Sequence, residues 1–138
     1  MGTVGASETM PLLDSADIAR ARHRVRDLAI ELGFELVAQT RIVTATSELA
    51  RNTYLHGGGG SLTITPVQEG RRRGLRLQFT NDGPGIADVP TALTDGWSSR
   101  GGLGLGLGGT RRLVDEFAIE SRPGQGTHVE ITQWLKRP

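Results

Sequence analysis

Residues 101–112 read GGLGLGLGGTRR, six glycines in nine positions with Leu103, Leu105 and Leu107 between them and two arginines behind. Taken alone, a glycine run reads as a flexible surface linker. The leucines argue for something more, because a pure linker gains nothing from apolar side chains that can dock on a core. The sharper reading is a lid over an anion: glycines let backbone N–H groups approach phosphate oxygens, and a following helix offers its unpaired N-terminal donors. A Walker A loop does not fit, since no Gly-Lys-Ser/Thr occurs. A Rossmann turn does not fit either, since the preceding DGWSS (95–99) is not a strand.

Working outward, TRRLVDEFA (110–118) resumes helical spacing through Leu113, Val114 and Phe117, and GTHVEITQWL (126–135) alternates with Val129 and Ile131 on one face. Upstream, apolar residues at Ile18, Ala21, Val25, Leu28, Ala29 and Leu32 mark a helix with one buried stripe, capped by Asp14 or Ser15 and ended by Gly33. A second helix is expected from Leu36 to Leu55, with Val37, Ile42, Ala45, Leu49 and Thr53 inward and the run Gly57 to Gly60 stopping it. SLTITPV (61–67) and GLRLQFT (74–80) alternate as strands joined by a hairpin connection through QEGRRRG, with Leu62, Ile64, Leu75, Leu77 and Phe79 on one side. Helices and strands mix without a repeated βαβ unit. That favours an α+β fold, a mixed, largely antiparallel sheet covered on one face by helices. The expected organisation is a flexible N-terminus over residues 1–8 and one domain over 9–138.

Sixteen Lys and Arg stand against 15 Asp and Glu, a net charge of +1, so no general attraction to nucleic acid or an anionic membrane is expected. There is no cysteine, which excludes disulfides, thiolate metal sites and cysteine nucleophiles. No leader pattern opens the chain and no window approaches the roughly 20 apolar residues of a membrane span. A soluble cytoplasmic protein is the expectation.

Half of the 20 glycines fall in two windows, 57–60 and 101–109, so glycine has local causes here. Asp82 opens DGPGI (82–86) directly after a strand. Such a residue is an ordinary turn former, but a carboxylate at a strand end beside Gly83 and Gly85 can also accept a hydrogen bond from a base amino group lying close to the main chain. Glu48 and Asn52 are four apart and share a helix face. A solvated face is the plain account of them. A carboxylate that orients a nucleophile and an amide oxygen for Mg²⁺ is the functional one. His56 suits a helix C-terminus, Arg71 to Arg73 a solvated hairpin tip, and Trp97 and Trp134 packing. Arg111 and Arg112 solubilise the start of a helix or clamp phosphate bidentately.

In order along the chain, ELARN, DGPGI, GGLGLGLGG and GQGTHVEI resemble the four nucleotide-binding boxes of the GHKL ATP-binding superfamily (Bergerat fold). SELARN and the block GGLGLGLGGTRRLVDEF look most like the RsbT-type switch serine/threonine kinases, relatives of anti-sigma factor kinases, and the resemblance runs from about Thr9 to the end. It implies a mixed sheet under helices with ATP beneath a glycine-rich lid. By the same resemblance Asn52 binds Mg²⁺, Asp82 holds the adenine amino group, Thr127 supports the adenine side through its hydroxyl, and Gly83 and Gly85 make room for the nucleotide. Gly102, Gly104, Gly106 and Gly108 form the lid, and Glu48 orients or deprotonates the acceptor hydroxyl; beside such a lid Arg111, by its own chemistry, is the arginine expected to clamp phosphate. The four-glycine run after His56 is longer than the family pattern. The implied activity is phosphorylation of a STAS-domain antagonist, followed by activation of a PP2C-type phosphatase. The alternative is an anti-sigma factor that sequesters a sigma factor and phosphorylates its anti-anti-sigma partner.

Overall fold

Two capped helices set the frame. The computed structural model of the chain describes residues 2, 3, 5–81, 106–121, 124 and 126–136. Helix α1 spans Ser15–Leu32 and starts where the Asp14 carboxylate accepts the Asp17 N–H at 2.9 Å, satisfying a donor that the first turn leaves unpaired. Asp17 accepts the Leu13 N–H at 2.8 Å and pairs with Arg20. At the other end Gly33, φ +94°, donates to Ile30 and Phe34 donates to Ala29, the paired bonds of a Schellman cap. Ala21, Val25 and Ala29 are fully buried, with Ile18, Leu28 and Leu32 packed beside them, as the spacing predicts.

Helix α2 spans Leu36–Gly57 and buries Ile42, Ala45, Leu49 and Thr53 as expected, together with Val43, Thr46 and Ala50. Val37, expected inward, is 65% exposed. Five residues separate it from Ile42, roughly 140° of helix rotation, so the two cannot share a stripe. The buried hydroxyls of Thr46 and Thr53 donate to carbonyls one turn back, at 2.7 and 2.8 Å, so neither is stranded.

Among the described residues six strands form one sheet: β1 (Gly2–Thr3), β2 (Glu8–Leu12), β3 (Gly60–Glu69), β4 (Arg72–Asn81), β5 (Glu116–Ser121) and β6 (Thr127–Trp134). The order is β1-β3-β4-β6-β5 with β2 also against β3, and every pairing among the described residues is antiparallel. Leu62, Ile64, Leu75, Leu77, Phe79, Val129 and Ile131 form the face that meets α1 and α2. The segment 1–8, set apart by its sequence as a flexible terminus, carries strand pairing: Gly2–Thr3 lies against Val67–Gln68 and Glu8 opposite Ile64. Glu8 also takes two hydrogen bonds of 2.7 Å from Arg24, which hold its carboxyl below the usual range. Both side chains remain about two-fifths exposed, so this strap from β2 to α1 contributes less than about 1 kcal/mol.

One expected element is different. Helix α3 covers only Gly106–Arg111; the chain turns at Arg112–Leu113 and enters β5 at Glu116. TRRLVDEFA is therefore not a helix. EFAIES also alternates with period two, and tertiary pairing selects that reading: the Asp115 N–H donates to Gln133, the Asp115 carboxylate accepts the Trp134 N–H at 2.8 Å, and the Trp134 indole donates to Glu116 at 2.7 Å. Arg72, from the hairpin tip, stacks over the same indole at 4.1 Å, so the tip is only partly a solvated feature.

The glycine run after α2 closes the joint between helix and sheet. Gly58 (φ +71°) and Gly59 (φ +105°) take left-handed backbone, and the Gly59 N–H bonds Thr53 O at 3.2 Å. At Gly60 a Cβ would stand 2.0 Å from Thr80 O and 2.8 Å from the Thr53 methyl carbon, whereas at Gly58 it would meet nothing within 4 Å. Gly60→Ala is expected to cost about 3 kcal/mol or more through overpacking, and Gly58→Ala about 1–2 kcal/mol through backbone strain alone; denaturant melts of the two variants check the order. A second expectation concerns pH. The Leu13 N–H, then Arg20, hold the Asp17 carboxyl below its usual range, so the unfolded chain takes up that proton first. The midpoint gap between wild type and Asp17→Asn should be full at neutral pH and close as pH falls below about 4.

Candidate functional site

The strand register lines up one row across the end of the sheet: Leu12 opposite Gly60, Gly60 opposite Asn81, Asn81 opposite Thr127, and Thr127 opposite Ser121. Side chains alternate along a strand, so Asn81, Thr127 and Ser121 share the face of Phe79, Val129 and Ile119, the face that the helices cover. The apolar core thus ends in a polar margin. Ser121 Oγ lies 2.8 Å from Thr127 Oγ1 and donates to the Gly126 carbonyl at 3.1 Å.

Above this margin stands the C-terminal half of α2. Thr53 fixes it there, since its methyl carbon and the Thr80 carbonyl crowd the space beside Gly60. Glu48 and Asn52 are half-buried and flank the buried stripe of Ala45, Leu49 and Thr53, one turn apart. That places a carboxylate and an amide between core and solvent on one helix face. Helix α3 packs against α2, with Leu107 3% exposed and Thr110 fully buried. The last leucine of the glycine run is therefore a core residue.

Of the residues singled out by sequence, Glu48, Asn52 and Thr127 are found on α2 and at the sheet margin, and Gly106 and Gly108 are in α3. Asp82, Gly83, Gly85, Gly102 and Gly104, with Trp97, Leu103 and Leu105, lie outside the described residues; Asp82 is next in sequence to Asn81. Arg111 and Arg112 do not begin a helix. Arg111 is the last, exposed residue of α3 and Arg112 is in the turn, positions where cations complement the negative end of a helix. Asn81 and Ser121 escaped the sequence reading, because nothing but strand register sets them beside Thr127. Trp134 is the packing residue expected of it.

Among the described residues no group of three or more His, Asp or Glu stands together to hold a metal ion. A single amide oxygen beside a single carboxylate suits a hard cation such as Mg²⁺, which keeps waters and takes most of its ligands from substrate phosphates. No helix among the described residues is long and apolar enough to cross a membrane.

The model of the histidine kinase-, DNA gyrase B- and HSP90-like ATPases matches residues 37–137. The chain belongs to that ATPase family. Membership in these ATPases makes ATP the nucleotide used. The serine/threonine-protein kinase RsbT of Bacillus subtilis is 47% identical over 120 residues, covering 87% of this chain and 90% of that protein. An anti-sigma F factor of Thermoanaerobacter is 29% identical over 121 residues, 83% of each chain. The crystal structure of the RsbU and RsbW domains of Rv1364c from Mycobacterium tuberculosis superposes with a TM-score of 0.67 at 22% identity, over 97% of this chain and 34% of that one. The present chain thus spans about a third of that structure, and this likeness shows the ATPase fold.

Leu107→Ala is expected to destabilise the ATPase domain by about 2–4 kcal/mol, because it empties the anchor between α3 and α2. Glu48→Gln and Asn52→Ala, at the margin of the stripe, should stay within about 0.5 kcal/mol of wild type in the same denaturant titration.

Proposed function

We propose that this chain is a serine/threonine protein kinase of a bacterial partner-switching pathway, which phosphorylates a STAS-domain antagonist and, once released from it, binds and activates a PP2C-type phosphatase in the cytoplasm. The observation that carries the reading is the 47% identity to the serine/threonine-protein kinase RsbT over nearly the whole of both chains. Fold likeness alone would not distinguish a kinase from any other ATPase.

In this reading ATP lies over the polar margin of the sheet, with Asp82 holding the adenine amino group and Thr127 beside the base. Gly83 and Gly85 leave room for the purine. Gly102, Gly104, Gly106 and Gly108 bring backbone N–H groups to the phosphates, and Arg111 adds a cation near them. Asn52 holds Mg²⁺ through its amide oxygen, and the ion neutralises phosphate charge when bound. Glu48 accepts the proton of the substrate hydroxyl as that oxygen bonds to the γ-phosphorus; the bond from the γ-phosphorus to the β-bridging oxygen breaks and ADP leaves. Such a transfer needs mainly alignment and charge neutralisation. Losing Asn52 should therefore cost more than losing any one lid glycine.

The 29% identity to an anti-sigma F factor supports a second reading, in which the same kinase domain sequesters a sigma factor and phosphorylates its anti-anti-sigma partner. The two readings part on partners. With radiolabelled Mg-ATP and the purified cognate STAS protein, label is expected on Ser or Thr, and Asn52→Ala should abolish it while leaving the denaturant midpoint in place. Folded, ATP-binding protein that labels nothing overturns the kinase reading. A stable complex with a sigma factor in pull-down favours the second.

A further inference from the structure

Glu48 does not stand alone on its side of α2. An α-helix turns about 100° and rises about 1.5 Å per residue, so position in the helix tells which residues share a face. Val37, Arg41, Thr44, Arg51 and Leu55 all fall within about 60° of Glu48 around the axis, on the side away from the buried Ile42, Thr46 and Thr53. They form one stripe along the helix. Val37 and Leu55, 65% and 43% exposed, are its apolar ends, and the two arginines stand on either side of Glu48. Arg41 is about 10 Å from it along the axis toward the helix N-terminus, and Arg51 about 4.5 Å toward the C-terminus.

Neither arginine is used by the fold. Arg20, Arg24, Arg72 and Arg76 each meet a carboxylate of this chain, whereas among the described residues Arg41 and Arg51 meet none. Arg51 follows Glu48 at a spacing where an ion pair can form, and the two do not pair. The carboxylate is thus left unengaged between two uncompensated guanidinium groups.

We infer that Arg41 and Arg51 are specificity-determining residues for the protein acceptor, selecting a surface that carries carboxylates beside its Ser or Thr, one of them about 10 Å from the hydroxyl. This rests on the reading in which Glu48 meets the acceptor hydroxyl. A hydroxyl on a protein does not reach Glu48 by itself, because the surface around it is laid along α2 and meets the two guanidinium forks. A carboxylate there takes paired N–H···O bonds, while a lysine meets a like charge. Val37 and Leu55 give the same surface an apolar seat at each end of the stripe. With Arg41 exposed and Arg51 half-buried, the attraction acts on encounter as well as on contact and weakens with salt.

The test is steady-state phosphorylation of the purified cognate STAS protein by wild type, Arg41→Gln, Arg51→Gln, the double variant and Arg71→Gln, each with a denaturant melt and a calorimetric titration of ATP. Arg71 is the control: it is exposed on the turn between β3 and β4, at the other end of the sheet from Asn81, and its loss changes the net charge equally. Arg41→Gln and Arg51→Gln are each expected to raise the KM for the STAS protein about 3–10-fold, with the melt and the ATP affinity kept, and the double variant to lose most of the salt dependence of that KM. Arg41→Lys, which keeps the charge without the fork, should recover part of the loss. A wild-type KM in the double variant overturns the inference. So does an equal rise in Arg71→Gln, which reports net charge alone, or a fall in ATP affinity as large as the rise in KM, which assigns the arginines to the nucleotide. Wild type that labels nothing, or Glu48→Gln that labels as fast as wild type, fails the underlying reading and the inference with it.

Discussion

The contact on which the remaining arrangement depends is the one that Gly60 permits. Where β3 begins, the Thr80 carbonyl of β4 and the Thr53 methyl of α2 both come within the space a side chain would fill. Backbone and helix can meet this closely only at a residue without a Cβ. The result is that α2 leaves the sheet at the same end at which Asn81, Thr127 and Ser121 line up. Glu48 and Asn52 are carried on that helix, so their relation to the polar margin is fixed by a steric fact two elements away. The unusual length of the glycine run has the same origin: Gly58 ends the helix, Gly59 turns the chain and Gly60 closes the joint.

A second constraint comes from the opposite flank. The apolar residue Leu107 reaches the core from the end of a glycine-rich stretch and docks α3 on α2. Glycine alone confers freedom, and freedom without an anchor does not hold a loop near a ligand. Leucine supplies the anchor, because burying it returns free energy of the order of 2 kcal/mol to whichever arrangement seats it. The same helix α2 thus receives the sheet margin on one side and α3 on another, which concentrates the positioning of the candidate site in one element.

Legibility followed the range of the interactions involved. The stripe of α1, that of α2 from Ile42 onward though not at Val37, the Asp14 and Gly33 caps and the β3–β4 hairpin are readable, because each is written within a few residues. Glu48 and Asn52 were readable as a pair for the same reason, and Thr127 from its motif. The helical spacing of LVDEF and the strand spacing of EFAIES compete at Phe117, and local sequence contains nothing that ranks them. Pairing with β6, through Asp115, Glu116 and Trp134, does. Arg111 and Arg112 moved from the start of a helix to its end for the same reason, once the helix stopped at Arg111.

The sequence by itself determined the class of the fold, the caps, the buried faces and the family, since each depends on periodicity, on backbone preference or on an ordered set of short motifs. Tertiary structure alone decided that Gly60 must be glycine, that TRRLVDEFA divides between a helix end and a strand, and that Ser121 stands beside Thr127. Those facts depend on which atoms meet across residues far apart in the chain, and a close approach or a shared proton exists only once strand register has brought them within reach.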